Sequence, residues 1–255
     1  VFPAFPTESR GIVTGAAGGI GSAIASALAD HGMRHLVLVD RDEDSLRSVA
    51  EAVERSSPTC RCEAVCVDLT DPGQVASFVD AGNARWERID VLVNNAGVLM
   101  RRPLDDPRSV DDYLATMRIN VDAPFALVNG LLEPLATARG AVLNVASICA
   151  ERVIGGEGVY AVSKAAIAQL TRSLAVELAP RAIRVNAVAP GIVQTPMTRT
   201  TLANPAGLAG FLRRVPMARV ATPVEIASAC VFLCSSAAAY ATGSMLVVDG
   251  GFLCS

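Results

Sequence analysis

The stretch Gly11-Ile12-Val13-Thr14-Gly15-Ala16-Ala17-Gly18-Gly19-Ile20-Gly21 lies near the start of the chain. A short β-branched run meets a glycine cluster, and small and apolar residues then recur at helical spacing from Ile20 to Leu28. The order predicted is strand, tight turn, helix. Glycines let a backbone turn sharply and approach a pyrophosphate, while a helix N-terminus offers unpaired N–H groups and the positive end of its dipole. The spacing is Gly-x-x-x-Gly-x-Gly rather than the commoner Gly-x-Gly-x-x-Gly. A plain turn needs the same glycines, but the position between a first strand and a first helix reads as a nucleotide-binding turn.

Outward from this turn the same alternation repeats. Strand-like runs fall at His35–Asp40, Ala64–Val67, Val91–Val93, Ala141–Val145, Ile183–Val188 and Met245–Val248. Helical patterns fall between them, at Asp44–Val53, Val75–Trp86, about 110 to 135, Val159–Leu178 and Glu225–Leu233. The strands are continuous apolar runs, which implies a sheet covered on both faces, as βαβ units produce. No repeat and no linker interrupts the pattern. The fold predicted is α/β: a doubly wound Rossmann-type domain over residues 1–255, with a seven-stranded, mostly parallel sheet and helices on both faces. The least regular stretch, about 192–220, holds Pro196, Pro205, Gly207, Gly210 and Pro216. Ligands in this architecture sit beyond the carboxyl ends of the strands, so this segment reads as a substrate-covering loop.

Bulk properties narrow the function. Hydrophobic residues make up 51% and charged residues 18% of 255, which is globular, and a net charge of −3 leaves no electrostatic footprint for nucleic acid or an anionic membrane. The first ten residues lack the basic and long apolar regions of a signal peptide, and no uninterrupted apolar run spans a membrane. Cys60, Cys62 and Cys66 cluster without neighbouring histidines, so no metal site is expected, and the seven cysteines read as reduced cytoplasmic thiols.

Asp40 ends the second strand 25 residues after Gly15. A carboxylate there accepts hydrogen bonds from both hydroxyls of an adenosine ribose and repels a 2′-phosphate, which selects NAD. Arg41 beside it points the other way, because a guanidinium pairs with that phosphate. Arg101-Arg102, Asp105-Asp106 and Asp111-Asp112 read as a solvated loop and helix start, and Trp86 as helix packing.

The glycine turn, Asn94-Asn95-Ala96-Gly97, Ser147, Tyr160-Ala161-Val162-Ser163-Lys164 and Pro190-Gly191 stand in an order that resembles the short-chain dehydrogenase/reductase family in its compact form. The likeness runs from Gly11 to Phe252 and includes the ending Val247-Val248-Asp249-Gly250-Gly251. It implies that Gly15, Gly19, Ile20, Gly21, Asp40, Arg41, Asp68, Leu69, Asn95, Ala96, Gly97, Tyr160, Lys164, Pro190, Gly191, Val193 and Thr195 surround the cofactor. Asp68 matches an adenine contact, although the same carboxylate would also cap a helix; Asn95 matches a cofactor contact, although turn chemistry would also use it. The resemblance further implies a catalytic set of Asn120, Ser147, Tyr160 and Lys164, with Asn120 holding a water in a proton relay. Cys149 and Val153, between Ser147 and Tyr160, join those two as candidates to line a substrate pocket, and Glu157 is a further candidate to face it. Ala218 departs from the pattern, standing where glycine is common.

Lys164 is the single lysine among 22 basic side chains. It follows Tyr160 by four residues, so the two share a helix face. A nearby ammonium favours a phenolate, lowering a pKa that is about 10 in free tyrosine. Tyr160 is therefore expected to be the base that takes a proton from an alcohol, with Ser147 stabilising charge on the substrate oxygen. The expected activity is NAD-dependent oxidation of a secondary alcohol, or the reverse ketone reduction, on an apolar or alicyclic substrate. The same fold also supports NADPH-dependent reduction of 3-oxoacyl thioesters, or nucleotide sensing without turnover. The resemblance implies a homotetramer that pairs the helices around 110–135 and 159–178.

Overall fold

The computed structural model describes residues 5–103 and 105–255; the first four residues of the segment read for a leader lie outside the described residues. Seven strands form one sheet: β1 Arg10–Thr14, β2 His35–Asp40, β3 Arg61–Cys66, β4 Val91–Asn94, β5 Ala141–Val145, β6 Arg184–Pro190 and β7 Met245–Val248. Their order is β3-β2-β1-β4-β5-β6-β7, and every pairing is parallel. The helices are α1 Gly19–Asp30, α2 Glu43–Ser56, α3 Pro72–Arg85, α4 Ser109–Met117, α5 Ala123–Gly130, α6 Leu132–Ala138, α7 Gly158–Leu178, α8 Arg199–Leu202, α9 Pro205–Leu212 and α10 Pro223–Cys234.

Alternation along the strands sorts these helices into two layers. Val13, Leu36, Leu38, Val93 and Leu143 pack against Ile24 and Leu28 of α1, Leu46 of α2 and Ile226 and Val231 of α10. Ile12, Val37, Leu92, Val142 and Val185 face the other way, onto Val75 and Phe78 of α3, Leu127 of α5 and Leu174 and Leu178 of α7. Each fully buried Leu or Ile contributes about 1.5–3 kcal/mol by leaving water. The central strands are buried on both sides, which is why they read as unbroken apolar runs. β3 is an edge strand with alternating exposure, so its polar start, Arg61 to Glu63, carries no apolar signal and the strand begins three residues earlier than the pattern indicates.

Two elements differ from expectation. The helical stretch about 110 to 135 is broken: α4 passes through a π-helical turn, Arg118–Asp122, into α5, and α6 begins after Leu131. The irregular segment 192–220 contains α8 and α9. Ala218 adopts a left-handed φ of 51°, the conformation in which glycine is favoured. Trp86 is buried against Phe78, ring edge to ring, at 5.6 Å between centroids, as its packing role predicts.

Candidate active site

The order in which strands are added to the sheet reverses between β1 and β4, and the crevice at that switch point opens at the carboxyl ends of the strands. It forms a cavity of about 550 Å³. The glycine turn supplies one wall. Gly15 and Gly19 have φ of 65° and 58°, and a Cβ on Gly15 would lie 2.8 Å from the Ala96 backbone. The Asn95 amide donates to the carbonyls of Thr14 and Gly15, and the Thr14 hydroxyl accepts from the backbone N–H groups of Asn95 and Ala96. Asn95 thus pins the turn to β4 while also lining the cavity. Gly21 lies behind the turn: a Cβ there would fall 2.1 Å from the Gly15 carbonyl oxygen. No contact closes on the Cβ position of Gly18, so the turn presents open backbone at the start of α1, a cradle suited to a pyrophosphate.

Asp40 lies at the end of β2 and lines the same cavity with Arg41, Asp42 and Ser45. Its carboxylate accepts from the N–H groups of Ala17, Arg41 and Asp42. Two oxygens offer about four acceptor positions, so one remains for a ligand hydroxyl. Opposite, Pro190, Gly191, Val193 and Thr195 follow β6 and complete the wall. Asp68 and Leu69 are not among the cavity residues; Asp68 accepts from the Thr70 N–H and hydroxyl in a local turn, and the residue that caps α3 is Asp71, not Asp68.

Ser147, Tyr160 and Lys164 converge on this cavity from the end of β5 and the first turns of α7. A buried polar ladder fixes the two elements: the Asn94 amide donates to Asn144 at 2.9 Å, Asn144 donates to the Thr171 hydroxyl at 2.9 Å, and Thr171 donates to the Ile167 carbonyl. Asn94 and Asn144 are register partners on β4 and β5, so the ladder holds sheet and helix in one alignment. Asn120 is buried one layer behind the cavity, inside the π turn. Its amide donates to the Val98 carbonyl and the Ser163 hydroxyl and its oxygen accepts from the Val98 N–H. π turns within helices are frequent at functional sites, and this one directs a poor helix former inward.

Burial governs the electrostatics. The Lys164 ammonium is fully enclosed, which lowers its pKa to about 8. It donates to the Val145 carbonyl at 2.7 Å and lies 5.5 Å from the Tyr160 ring centroid. The Tyr160 phenol is pushed well above its ordinary value, first by burial and then by Cys149 and Glu157; its hydrogen bond with Ser147 and the charge of Arg101 act in the opposite direction. Burial therefore opposes the acidification expected from Lys164. Lys164 spends its bond on Val145, and desolvation of the phenolate outweighs the remaining attractions.

The region between Ser147 and Tyr160 brings a correction. Val153 is 70% exposed and faces away; Ile154 lines the cavity instead. Cys149 does line it, as a buried thiol raised to about 12 by burial, and donates to Glu157. Arg101 and Arg102 are not a solvated pair. Arg102 binds Asp106 and Asp112, while Arg101 reaches into the cavity and pairs with Glu157, whose side chain is 9% exposed. A glutamate among glycines, Gly155-Gly156-Glu157-Gly158, was the signal for Glu157; nothing in the dipeptide Arg101-Arg102 distinguishes the inward arginine from its neighbour. Among the described residues, no group of three or more His, Cys, Asp or Glu is placed to hold a metal ion, and no helix is long and apolar enough to cross a membrane.

Comparison with known proteins gives the family and the fold. The family model described as enoyl-(acyl carrier protein) reductase matches residues 15–253. The oxidoreductase UcpA of Escherichia coli K12 is 37% identical over 253 residues, covering 96% of this chain and 94% of the relative. Cyclopentanol dehydrogenase of a Comamonas species is 35% identical over 242 residues, covering 94% and 95%. A crystal structure of a gluconate 5-dehydrogenase from Burkholderia cenocepacia, in complex with NADP and tartrate, superposes with a TM-score of 0.90 at 30% identity, covering 98% and 97%. The chain belongs to the short-chain dehydrogenase/reductase family. It is an NAD(P)-dependent oxidoreductase with a Rossmann-type fold.

Proposed function

We propose that this protein moves a hydride between NAD(H) and a secondary alcohol or ketone. The convergence of Ser147, Tyr160 and Lys164 on the cavity that also holds the glycine turn and Asp40 carries this reading. A bound nicotinamide supplies the hydride acceptor or donor, and its oxidised ring carries a positive charge. The chain's own part is proton handling and orientation. In oxidation Tyr160, deprotonated against the burial of its phenol with the help of the Lys164 ammonium and the positive ring, takes the proton of the alcohol O–H as the C–H hydride departs and the C=O bond forms; reduction runs the same transfers backwards. Ser147 hydrogen-bonds the substrate oxygen, which stabilises its charge in the transition state. Lys164 is held by Val145 where it faces the tyrosine ring, and its ammonium donates towards the cofactor ribose. A broad guanidinium would not fit this enclosed position. Asn120 backs Lys164 through the π turn and Gly97, and serves the proton path behind it. Ile20, Ala96, Gly97, Pro190, Gly191, Val193 and Thr195 enclose the cofactor.

Asp40 supports NAD, since its carboxylate rejects a 2′-phosphate. A second reading, NADP, rests on Arg41 and Ser45 in the same wall and on the NADP bound to the Burkholderia relative. At the substrate end, Leu99, Ile148, Ile154, Met197 and Phe211 form apolar walls, which support an alicyclic substrate. The segment 192–220 covers this end of a single domain. Exposed Tyr113, Leu114, Phe125, Val162 and Val176 on α4, α5 and α7 support a homotetramer paired through those helices. The test is a panel of secondary alcohols with NAD⁺ and NADP⁺, followed by absorbance of the reduced nicotinamide. Reduction of NAD⁺ by at least one alcohol is expected, and no turnover of any of them would overturn the reading.

A further inference from the structure

The apolar substrate end of the cavity contains one ion pair. Glu157, at the N-terminal boundary of α7, has its side chain more than nine-tenths buried. One of its oxygens accepts from both Nε and Nη2 of Arg101, and the other from the Cys149 thiol at 3.4 Å. Nη2 of Arg101 also donates to the Thr201 hydroxyl of α8, at 3.0 Å. Arg101, Glu157, Cys149 and Thr201 all line the cavity. A buried carboxylate is costly unless it is paired and hydrogen-bonded, and here each oxygen has a partner. The guanidinium is therefore fixed from three elements: the loop after β4, the start of α7 and the covering segment.

That leaves Nη1. It makes no hydrogen bond to the described residues, and the Arg101 side chain keeps 36% of its surface accessible. Tyr160 senses both charges of the pair, so the reacting end of the substrate and Arg101 share one compartment. We infer that Arg101, held by Glu157, is a specificity-determining residue whose Nη1 binds a second, uncharged oxygen of the substrate, away from the carbon that reacts. This rests on the hydride-transfer reading and deepens it: the substrate class is an alicyclic secondary alcohol carrying a further hydroxyl or carbonyl. A carboxylate is disfavoured for two reasons. The Nε–Nη2 edge, which grips carboxylates in two parallel bonds, is already taken by Glu157. The pair is also neutral overall, and a substrate carboxylate would be brought near a second buried anion.

The experiment measures kcat/KM with the preferred coenzyme for cyclohexanol, the 1,2-, 1,3- and 1,4-cyclohexanediols and 3-hydroxycyclohexanecarboxylate. At least one diol is expected to exceed cyclohexanol by about tenfold, the value of one net hydrogen bond, with the hydroxycarboxylate below that diol. Arg101→Leu is expected to remove most of this ratio. Glu157→Gln, which leaves the guanidinium charge uncompensated, is expected to raise the hydroxycarboxylate relative to the diol. Where Arg101→Leu fails to fold, the diol ratio is read in Arg101→Lys, which cannot make the fork, and is expected to fall there too. A wild-type enzyme that treats cyclohexanol and every diol alike, or an Arg101 variant that keeps the ratio, overturns the inference and leaves hydride transfer standing. Failure of every alcohol with both coenzymes overturns the two together.

Discussion

The ammonium of Lys164 donates to the carbonyl of Val145 at 2.7 Å, across the root of the cleft from β5 to α7. The pairing explains why a chain with 22 basic residues places its one lysine here: the slot is enclosed and admits a slim stem. Lys164→Arg is expected to reduce kcat/KM at least about a hundredfold, because a displaced guanidinium disturbs groups that must lie within a fraction of an ångström of their productive places. Steady-state kinetics with wild-type levels of secondary structure in circular dichroism would check it. Activity within threefold of wild type would refute the steric argument.

The same burial has a stability consequence with a definite sign. Folding lowers the Lys164 pKa from 10.5 to about 8. Between those values the unfolded chain binds more protons, so the contribution of this group to stability rises with pH across the window and is least favourable below pH 8. Lys164→Met is therefore expected to raise the melting temperature at pH 7. The gain is about 1–2 kcal/mol once the loss of the bond to Val145 is offset, and it shrinks towards pH 10. Thermal melts of both proteins at pH 7 and pH 10 test this; a difference that grows with pH would contradict it.

The ladder Asn94–Asn144–Thr171 is predicted to hold sheet and helix together. Thr171→Val keeps the shape but leaves the buried Asn144 amide without its acceptor, at a cost of about 1–3 kcal/mol. Urea unfolding would show it, and an unchanged midpoint would mean that the ladder is dispensable.

Gly21 is expected to tolerate no side chain. A Cβ would lie 2.1 Å from the Gly15 carbonyl oxygen and 2.6 Å from the Asn95 amide, and the first of these is backbone that cannot swing aside. Gly21→Ala should destabilise the protein by about 1–3 kcal/mol and weaken coenzyme binding, read by melting and by calorimetric titration with NAD⁺. Intact binding in the variant would remove Gly21 from the account of the turn.

Coenzyme choice is predicted to depend on Asp40. Asp40→Ala should lower the ratio of kcat/KM for NAD⁺ over NADP⁺ at least about tenfold, since it removes both an acceptor for a ribose hydroxyl and the charge that repels a 2′-phosphate. An unchanged ratio would favour the reading in which Arg41 and Ser45 decide.

What could be read from the sequence follows from which interactions are local. The positions of the strands and the covering of the sheet on both faces follow from apolar runs and from helices of ordinary period, and the Gly15–Gly21 turn is legible because strand, turn and helix are contiguous. The π turn at Arg118–Asp122 leaves no periodic trace distinct from the helices around it. Arg101 and Glu157 are 56 residues apart, and their pairing is a product of the tertiary fold alone. Val153 and Ile154 differ by one position, which in an irregular loop decides which side chain faces the cavity and which faces water. The direction of the Tyr160 shift follows the same rule: helical spacing gives the neighbour, but only the fold gives the burial that opposes it.

Tyr160→Phe tests the proton-transfer claim most directly, because it deletes one oxygen and keeps the ring. Oxidation of a turned-over secondary alcohol is expected to fall by at least about a thousandfold, while calorimetric titration shows coenzyme affinity within about threefold of wild type. A variant that binds coenzyme and still turns over at a tenth or more of the wild-type rate would show that the proton leaves by another route.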